Sequence, residues 1–315
     1  MGSLLRMLAA TTIVATVGLA AGPASEAAAR GPVAAAYDLP ADGIRLEGIG
    51  VDGRSGAVYV SATNQDGTIY RAPAGSDQLS VWVGPRAGDN GRGIAVDAAG
   101  RVYVAGGPSA EVRIVDPAGV LLAELPTGVA GSFLNDVWIA PDGAAYVTDS
   151  ALPIIWRVTL GASGWSLQRW LDVAPTITYT PSTTDFDLGG ITSTPGGHHL
   201  LVAQGTTGQL WRISLADKQI REVAIDGPLV RNADGIALRG DTLYVVQNFL
   251  RRITTLQLSD HGLVARTVSV TATSPTRTFT TAKLVGGSLL AVDSTFGLAA
   301  APAADRVLAF PLPLG

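Results

Sequence analysis

The chain has 315 residues, a net charge of −4 and no cysteine, and 47 % of its residues are hydrophobic whereas 15 % are charged. The apolar content suffices for a packed core, and the acidic balance disfavours a nucleic-acid groove, which needs clustered Lys and Arg against the phosphates. The lack of cysteine excludes disulfides, thiolate nucleophiles and zinc–thiolate sites.

The first 29 residues have the pattern of a secretory signal peptide. Arg6 precedes an apolar stretch at 7–21, and three alanines at 27–29 offer small residues at a cleavage position. The stretch is shorter than the roughly 20 residues that a bilayer span needs. We therefore expect a secreted or extracytoplasmic protein with no membrane span after signal removal, and one mature domain over residues 30–315.

From residue 46 onward a strand–turn–strand pattern recurs six times. Aligned small or polar residues mark the copies at intervals of 43 to 54 residues: Gly48, Gly93, Asp136, Gly190, Gly235 and Thr281. Each copy continues into a second apolar strand after a turn rich in Gly, Asp and Pro, and no segment of the mature region sustains a helical apolar period. Repeats of this length built from paired strands are typical of propeller blades. The sequence therefore predicts an all-β protein, a six-bladed β-propeller.

The last copy has no fourth strand of its own. The segment 33–39, which precedes the first copy, has the length and apolar character of a strand. We expect this N-terminal strand to pair into the last blade and close the ring, because closure protects strand edges that an open array would expose.

The repeat register predicts which polar side chains meet in the central channel. The residue before each aligned position is expected at one mouth, and these residues are Glu47, Arg92, Asn135, Gly189, Asp234 and Thr280. Second strands run back to the same mouth and end in polar residues, among them Asn64, Asp149 and Asn248. We expect Arg92, Asn135 and these three rim residues to bind a small-molecule ligand or substrate.

Two carboxylates and one amide of this ring are hard oxygen donors. Glu47, Asp234 and Asn135 suit calcium or another divalent cation. Such a cation can polarise a carbonyl while a carboxylate deprotonates the attacking water. The alternative is that these side chains bind ordered channel water and cap strand ends.

Three short motifs resemble a known family of propellers. Leu46-Glu-Gly, Asn135-Asp136 and Asp234-Gly235 are similar to motifs of the calcium-dependent senescence marker protein and gluconolactonase family. The resemblance implies a lactonase-type hydrolase of a lactone or related ester, with Glu47 and Asp234 as metal ligands, Asp234 also as the general base, and Asn135 contacting the substrate.

Two positions depart from that family's pattern. The resemblance implies an Asn as third metal ligand where Gly189 stands, and Asp187, two residues upstream, is a candidate replacement by strand alternation. Phe133 stands where the family often has an arginine for acidic sugar substrates.

Two other functions remain open on the sequence. The strand motif Gly93-Ile-Ala-Val-Asp followed by Val102-Tyr-Val also fits NHL-repeat propellers, which would make the chain a non-catalytic extracellular binding module. A strictosidine-synthase-like propeller with different chemistry is the other alternative. The longest interval includes the connection 174–187, which is either a lid that shields a ligand with Tyr179 and Phe186 or a packed surface loop.

Overall fold

The computed structural model describes residues 35–63, 66–180, 186–298 and 304–313. The predicted signal segment 1–29 and Asn64 lie outside these ranges. Across the same ranges, no helix has both the length and the apolar character needed to cross a membrane.

The described chain folds into six sheets, one for each repeat, which are antiparallel except for one parallel strand pair in the fifth. The first two sheets contain β2 (Leu46–Val51), β3 (Val58–Ala62), β4 (Ile69–Ala72) and β5 (Ser80–Val83), then β6 (Ile94–Val96), β7 (Val102–Ala105), β8 (Glu111–Val115) and β9 (Leu121–Pro126). The next two contain β10 (Leu134–Ile139), β11 (Ala145–Asp149), β12 (Ile154–Gly161) and β13 (Gly164–Asp172), then β14 (Leu188–Ser193), β15 (His199–Gln204), β16 (Leu210–Ser214) and β17 (Ile220–Glu222). The last two contain β18 (Ala224–Asp226), β19 (Ala233–Arg239), β20 (Thr242–Gln247), β21 (Arg252–Ser259) and β22 (Val264–Ala272), then β23 (Thr278–Val285), β24 (Ser288–Ser294), β25 (Arg306–Pro311) and β1 (Ala36–Asp38).

These sheets are the blades of a propeller, and the prediction of an all-β, six-bladed fold is confirmed. The innermost strands contact one another in ring order, β2 to β6, β10, β14, β19, β23 and back to β2. The one helical element in the described ranges is a short 3-10 turn at Asp260–Gly262.

The core lies between neighbouring blades. The second strand of each blade is buried on both faces, so β11 reads Ala-Tyr-Val-Thr-Asp with every residue buried. The outer strand β9 faces solvent and its burial alternates with period two. Blades three and four enclose one apolar cluster that includes Tyr146, Ile155 and Trp211. Burial of such side chains favours folding by about 1.5–3 kcal/mol each.

The two ends of the chain close the ring. Strand β1 pairs antiparallel with β25, and Ala36 lies opposite Leu308 while Asp38 lies opposite Arg306. The predicted closure by an N-terminal strand is therefore confirmed. The last sheet has the order β1-β25-β24-β23, with its outer strand supplied from the start of the domain.

The connection from blade four to blade five contains two short strands that belong to different blades. The chain splits there into β17, which pairs with β16, and β18, which pairs parallel with β22 of the next blade. Val223 between them is buried, and its N–H donates to the carbonyl of Leu210 at 2.9 Å. Strand β18 covers the outer edge of blade five, which would otherwise expose unpaired backbone groups.

Candidate functional site

A β-bulge lies at the predicted ring position in five of the six innermost strands. The register shifts fall between Leu46 and Ile49 in β2 and at the matching points of β10, β14, β19 and β23. Bulges redirect side chains and are frequent beside active sites. The residues redirected here are Glu47, Asn135, Gly189, Asp234 and Thr280.

A glycine follows the ring residue in four of the six blades, and its recurrence has a packing cause. A Cβ on Gly48 would overlap the carbonyl oxygen of Arg92, and a Cβ on Gly190 would overlap that of Asp234. Each glycine therefore lets its blade approach the ring residue of the next blade closely. Hydrogen bonds fix the same contacts, since Ser61 Oγ donates to the Arg92 carbonyl at 2.6 Å.

The carboxylates of Glu47 and Asp234 share one electrostatic environment. Burial, followed by the charge of Asp234, raises the pKa of Glu47 well above its usual value, while Arg92 opposes this shift. The pKa of Asp234 is raised to about 7, mainly by burial, although Asn248 Nδ2 donates to its Oδ2 at 3.0 Å. Glu47 Oε2 is buried and has no hydrogen-bond partner in the described structure. Asp136 adds a third nearby negative charge.

The ring residues of blades three, four and five line a pocket beside these carboxylates. It encloses about 290 Å³, including the part open to solvent, and its wall includes Asn135, Gly189, Asp234 and Asn248. Asn135 is held by a 2.9 Å bond from its Nδ2 to Ser150 Oγ. Its amide oxygen accepts no hydrogen bond within the residues that the structure describes, which leaves that atom for a ligand.

A row of aromatic rings surrounds Arg92 at the same mouth. Arg92 Cζ lies 5.2 Å from the ring centroid of Phe133 and 5.6 Å from that of Phe296. Phe186 stacks on Phe133 at 5.0 Å, and Phe249 stacks on Phe296 at 6.1 Å. We call these four rings the aromatic row. Its outer members, Phe186 and Phe249, are exposed by 36 % and 39 % and also line the pocket.

Asp149, predicted to bind ligand at the rim, has a structural role instead. Its Oδ1 accepts from the backbone N–H groups of Phe133, Ala151 and Leu152 at 2.9–3.1 Å, and its Oδ2 accepts from Trp156 Nε1 at 3.2 Å. The side chain is fully buried. These donors join the end of β11 to the loop before β10, so the carboxylate does not face the ligand pocket.

The same structural role recurs in the two following blades. In each, a side chain at the end of the second strand accepts a hydrogen bond from a residue seven positions later, on the third strand. Gln204 Oε1 accepts from Trp211 Nε1 at 3.1 Å, and Gln247 Oε1 accepts from the Thr254 hydroxyl at 2.5 Å. With Asp149 and Trp156 this makes three pairs at the same spacing, a signal that was present in the sequence and missed. Of the other predicted rim residues, Asn248 contacts Asp234, and Asn64 is outside the described ranges.

Asp187, the predicted replacement ligand, is held by other partners. Its carboxylate accepts from Thr180 N at 2.8 Å, Gln204 Nε2 at 2.9 Å and the Thr206 hydroxyl at 2.5 Å. No group of three or more Asp, Glu, His or Cys side chains is arranged to hold a metal ion anywhere in the described chain. Asp187 therefore does not complete a set with Glu47 and Asp234.

The described part of the connection after β13, up to Thr180, is anchored to the domain. The Tyr179 hydroxyl donates to the Asp149 carbonyl at 2.7 Å, and the ring packs against the core between blades three and four. Residues 181–185 of the expected lid lie outside the described ranges. Phe186, in contrast, is on the pocket wall.

By donor type, the residues that remain suit a hard cation. They are the carboxylates of Glu47 and Asp234 and the amide oxygen of Asn135, and the buried Glu47 Oε2 lacks a partner among the described residues. Beside them, a Cβ on Gly189 would come no closer than 3.4 Å to any atom, the nearest being the Ala233 and Asp234 carbonyl oxygens. The pocket thus has room for one more oxygen donor at position 189.

Known structures share this architecture. A model of a β-propeller repeat, SBBP, matches residues 76–106. The calcium-binding protein regucalcin from Agrobacterium tumefaciens is 15 % identical with a TM-score of 0.65, over 89 % of this chain and 94 % of that one. A gluconolactonase from Xanthomonas campestris is 17 % identical with a TM-score of 0.61, over 90 % and 99 %. The chain has the six-bladed propeller fold of these proteins.

A third structure with the same fold belongs to a protein with another activity. Virginiamycin B lyase from Staphylococcus aureus, in a catalytically inactive form with quinupristin, is 14 % identical with a TM-score of 0.60, over 88 % of this chain and 98 % of that one. No curated protein sequence matches the chain. At these identities the likeness shows the fold, and function has to be argued from the site.

Proposed function

We propose that this chain is an exported hydrolase of a lactone or a related ester, with its reaction site at the channel mouth. The observation that supports this is that Asp234 and Asn135, from separate blades, line one pocket, while the buried carboxylate of Glu47, from a third blade, lies close enough for the charge of Asp234 to raise its pKa. The fold likeness to a gluconolactonase and the sequence motifs favour the same reaction class. The apolar segment at 7–21 supports export.

In this proposal Asp234 is the general base. With a pKa of about 7 it is partly ionised near neutral pH, where it can take a proton from water as the water oxygen attacks the carbonyl carbon. Asn248 Nδ2 fixes the carboxylate orientation through its bond to Oδ2. The ester C–O bond then breaks and the proton passes to the departing alkoxide oxygen. Asn135 contacts the substrate from the pocket wall.

Calcium or another divalent cation would be held by the oxygens of Glu47, Asp234 and Asn135. When bound, it would supply Lewis-acid polarisation of the substrate carbonyl. The charge of Asp234 raises the pKa of Glu47 and the charge of Asp136 raises that of Asp234, so the site carries negative charge that Arg92 offsets in part and a cation would offset further. Regucalcin, which has the same fold, is a calcium-binding protein, and this agrees with the choice of ion.

Thermal melting with calcium or a chelator, together with hydrolysis of a lactone panel, tests the proposal. We expect calcium to raise the melting temperature of the parent chain and Asp234→Asn to abolish both that rise and lactone hydrolysis. Gly189→Asn should increase the calcium response, because it adds an amide oxygen where the pocket has room. Asp172→Asn, at an exposed end of β13, is the matched control and should behave as the parent.

Two results would overturn the proposal in different ways. If neither calcium nor chelator changes the melting temperature of the parent or of Gly189→Asn, the proposed cation site is refuted. If the chain hydrolyses no lactone or ester, the hydrolase function is refuted and a binding propeller is the remaining function.

A further inference from the structure

Arg92 lies over the axis of the propeller channel. Phe133 precedes β10 of blade three and Phe296 follows β24 of blade six, and these blades face each other across a ring of six. The Arg92 guanidinium contacts rings from both blades, at 5.2 and 5.6 Å from their centroids. A group that touches two opposite blades of a ring is close to its centre. Arg92 therefore stands at the entrance through which a ligand must approach the carboxylates.

The guanidinium has hydrogen-bonding capacity that the protein does not use. In the described structure Arg92 makes no ion pair and no side-chain hydrogen bond, and its Nε is buried without a partner. Phe133 and Phe296 carry no acceptor oxygen for its N–H groups, so their contact with the guanidinium leaves those donors unused. Stacking also restricts the rotamers of the side chain, so less entropy is lost when a ligand binds.

The usual partners of arginine side chains indicate what Arg92 would bind. A planar guanidinium with free in-plane donors pairs best with a carboxylate or a phosphate. Glu47 and Asp234 lie close enough to Arg92 for its charge to lower the pKa of both, so a doubly charged phosphate would be repelled more than a single carboxylate. Phe186 and Phe249 offer an exposed apolar wall next to the same mouth.

We propose that Arg92 binds the carboxylate of a ligand whose apolar or aromatic body rests against Phe186 and Phe249. The substrate class that follows is a lactone or ester of an apolar organic acid that carries a free carboxylate. This assignment of substrate class rests on the proposed hydrolase function, whereas the carboxylate site itself does not.

Binding of phenylacetate and phenylethanol tests the site, because the two probes share an aromatic body and differ in the carboxylate. Isothermal titration at neutral pH should give a Kd for phenylacetate about tenfold or more below that for phenylethanol, the effect of one charge-assisted hydrogen-bond pair. In Arg92→Gln this preference should disappear. Arg92→Lys, which keeps the charge without the planar fork, should retain part of it.

Arg169→Gln is the matched control, since it removes one positive charge from an exposed site on β13. It should keep the preference of the parent. Far-ultraviolet circular dichroism and melting check that each variant folds. Equal Kd values for the two probes in the parent, the same preference in Arg92→Gln as in the parent, or no binding of either probe at millimolar concentration each overturn the proposal.

Hydrolysis assays separate this proposal from the proposed function. A parent chain that prefers phenylacetate but hydrolyses no lactone or ester supports the Arg92 site and refutes the hydrolase. A parent chain that hydrolyses lactones without any preference for those with a carboxylate, and binds the probes equally, refutes the Arg92 site and supports the hydrolase.

Discussion

Arg113 on β8 is the largest fully buried side chain and the main anchor of the loop that carries Arg92. Its guanidinium donates to the carbonyls of Gly67 and Asn90 at 3.2 and 2.8 Å and pairs with Asp89 at 3.0 Å. We expect Arg113→Met to lower the free energy of unfolding substantially, because these acceptors would remain buried without a donor.

The contacts of Arg113 determine how much the free energy of unfolding should fall. Removal of one partner from a buried ion pair typically costs about 3–5 kcal/mol. Asp89 keeps a second, half-exposed partner in Arg86 at 3.5 Å, which reduces the penalty on its carboxylate. The two carbonyls have no such substitute and each loses about 1 kcal/mol of hydrogen bonding. We therefore expect about 3 kcal/mol in total, at the lower end of that range.

Urea unfolding monitored by tryptophan fluorescence measures the loss. Arg157→Met is the control, since Arg157 pairs with an exposed Asp142 at 3.4 Å and such surface pairs contribute about 1 kcal/mol or less. The reasoning is refuted if the unfolding midpoint of Arg113→Met falls no further than that of Arg157→Met.

Three further changes test other parts of the structure. Burial and then two neighbouring carboxylates raise the pKa of Glu111 from 4.5 to about 7, so stability present below pH 4.5 is lost as the pH rises to 7. In the parent, this loss in the free energy of unfolding should amount to about 1 kcal/mol after solvent screening. Glu111→Gln should not show it when urea midpoints are measured across that pH range. Gly235→Ala places a methyl group 2.6 Å from Thr281 Cα and should destabilise by about 2 kcal/mol in thermal melts, whereas Gly189→Ala should have little effect. Deletion of residues 30–40 removes β1 and should broaden the calorimetric transition, and an unchanged transition would contradict a role for β1 in closure.

The fold was predictable because each blade repeats the same local sequence pattern. Alternating apolar strands, turns and a glycine at one register recur at nearly constant intervals, and each feature has one physical cause that a sequence displays. The crossing of β18 to blade five was not predictable in this way. It depends on which neighbour offers an open strand edge, and that information lies in the assembled ring.

The site was predictable only where the register alone decides the direction of a side chain. Asn135 and Asp234 line one pocket because each follows the same bulge in its own blade. The hydrogen bonds of Asp149 and Asp187 could not be predicted, because their partners come from loops and third strands, which strand alternation does not describe. A carboxylate surrounded by protein donors and one that faces a channel look alike in a sequence.

The ring positions also explain how this architecture separates stability from chemistry. The carbonyls of Glu47, Arg92 and Gly189 accept hydrogen bonds from hydroxyls of a neighbouring blade, and a neighbouring glycine closely approaches those of Arg92 and Asp234. At five of the six ring positions the side chain is not needed for that contact, whereas at Thr280 the hydroxyl itself donates to the Glu47 carbonyl at 2.7 Å. The six positions can therefore hold residues as different as Glu47, Arg92 and Gly189 while the fold remains the same. It follows that the chemistry of this protein has to be sought in the residues that its repeats do not share.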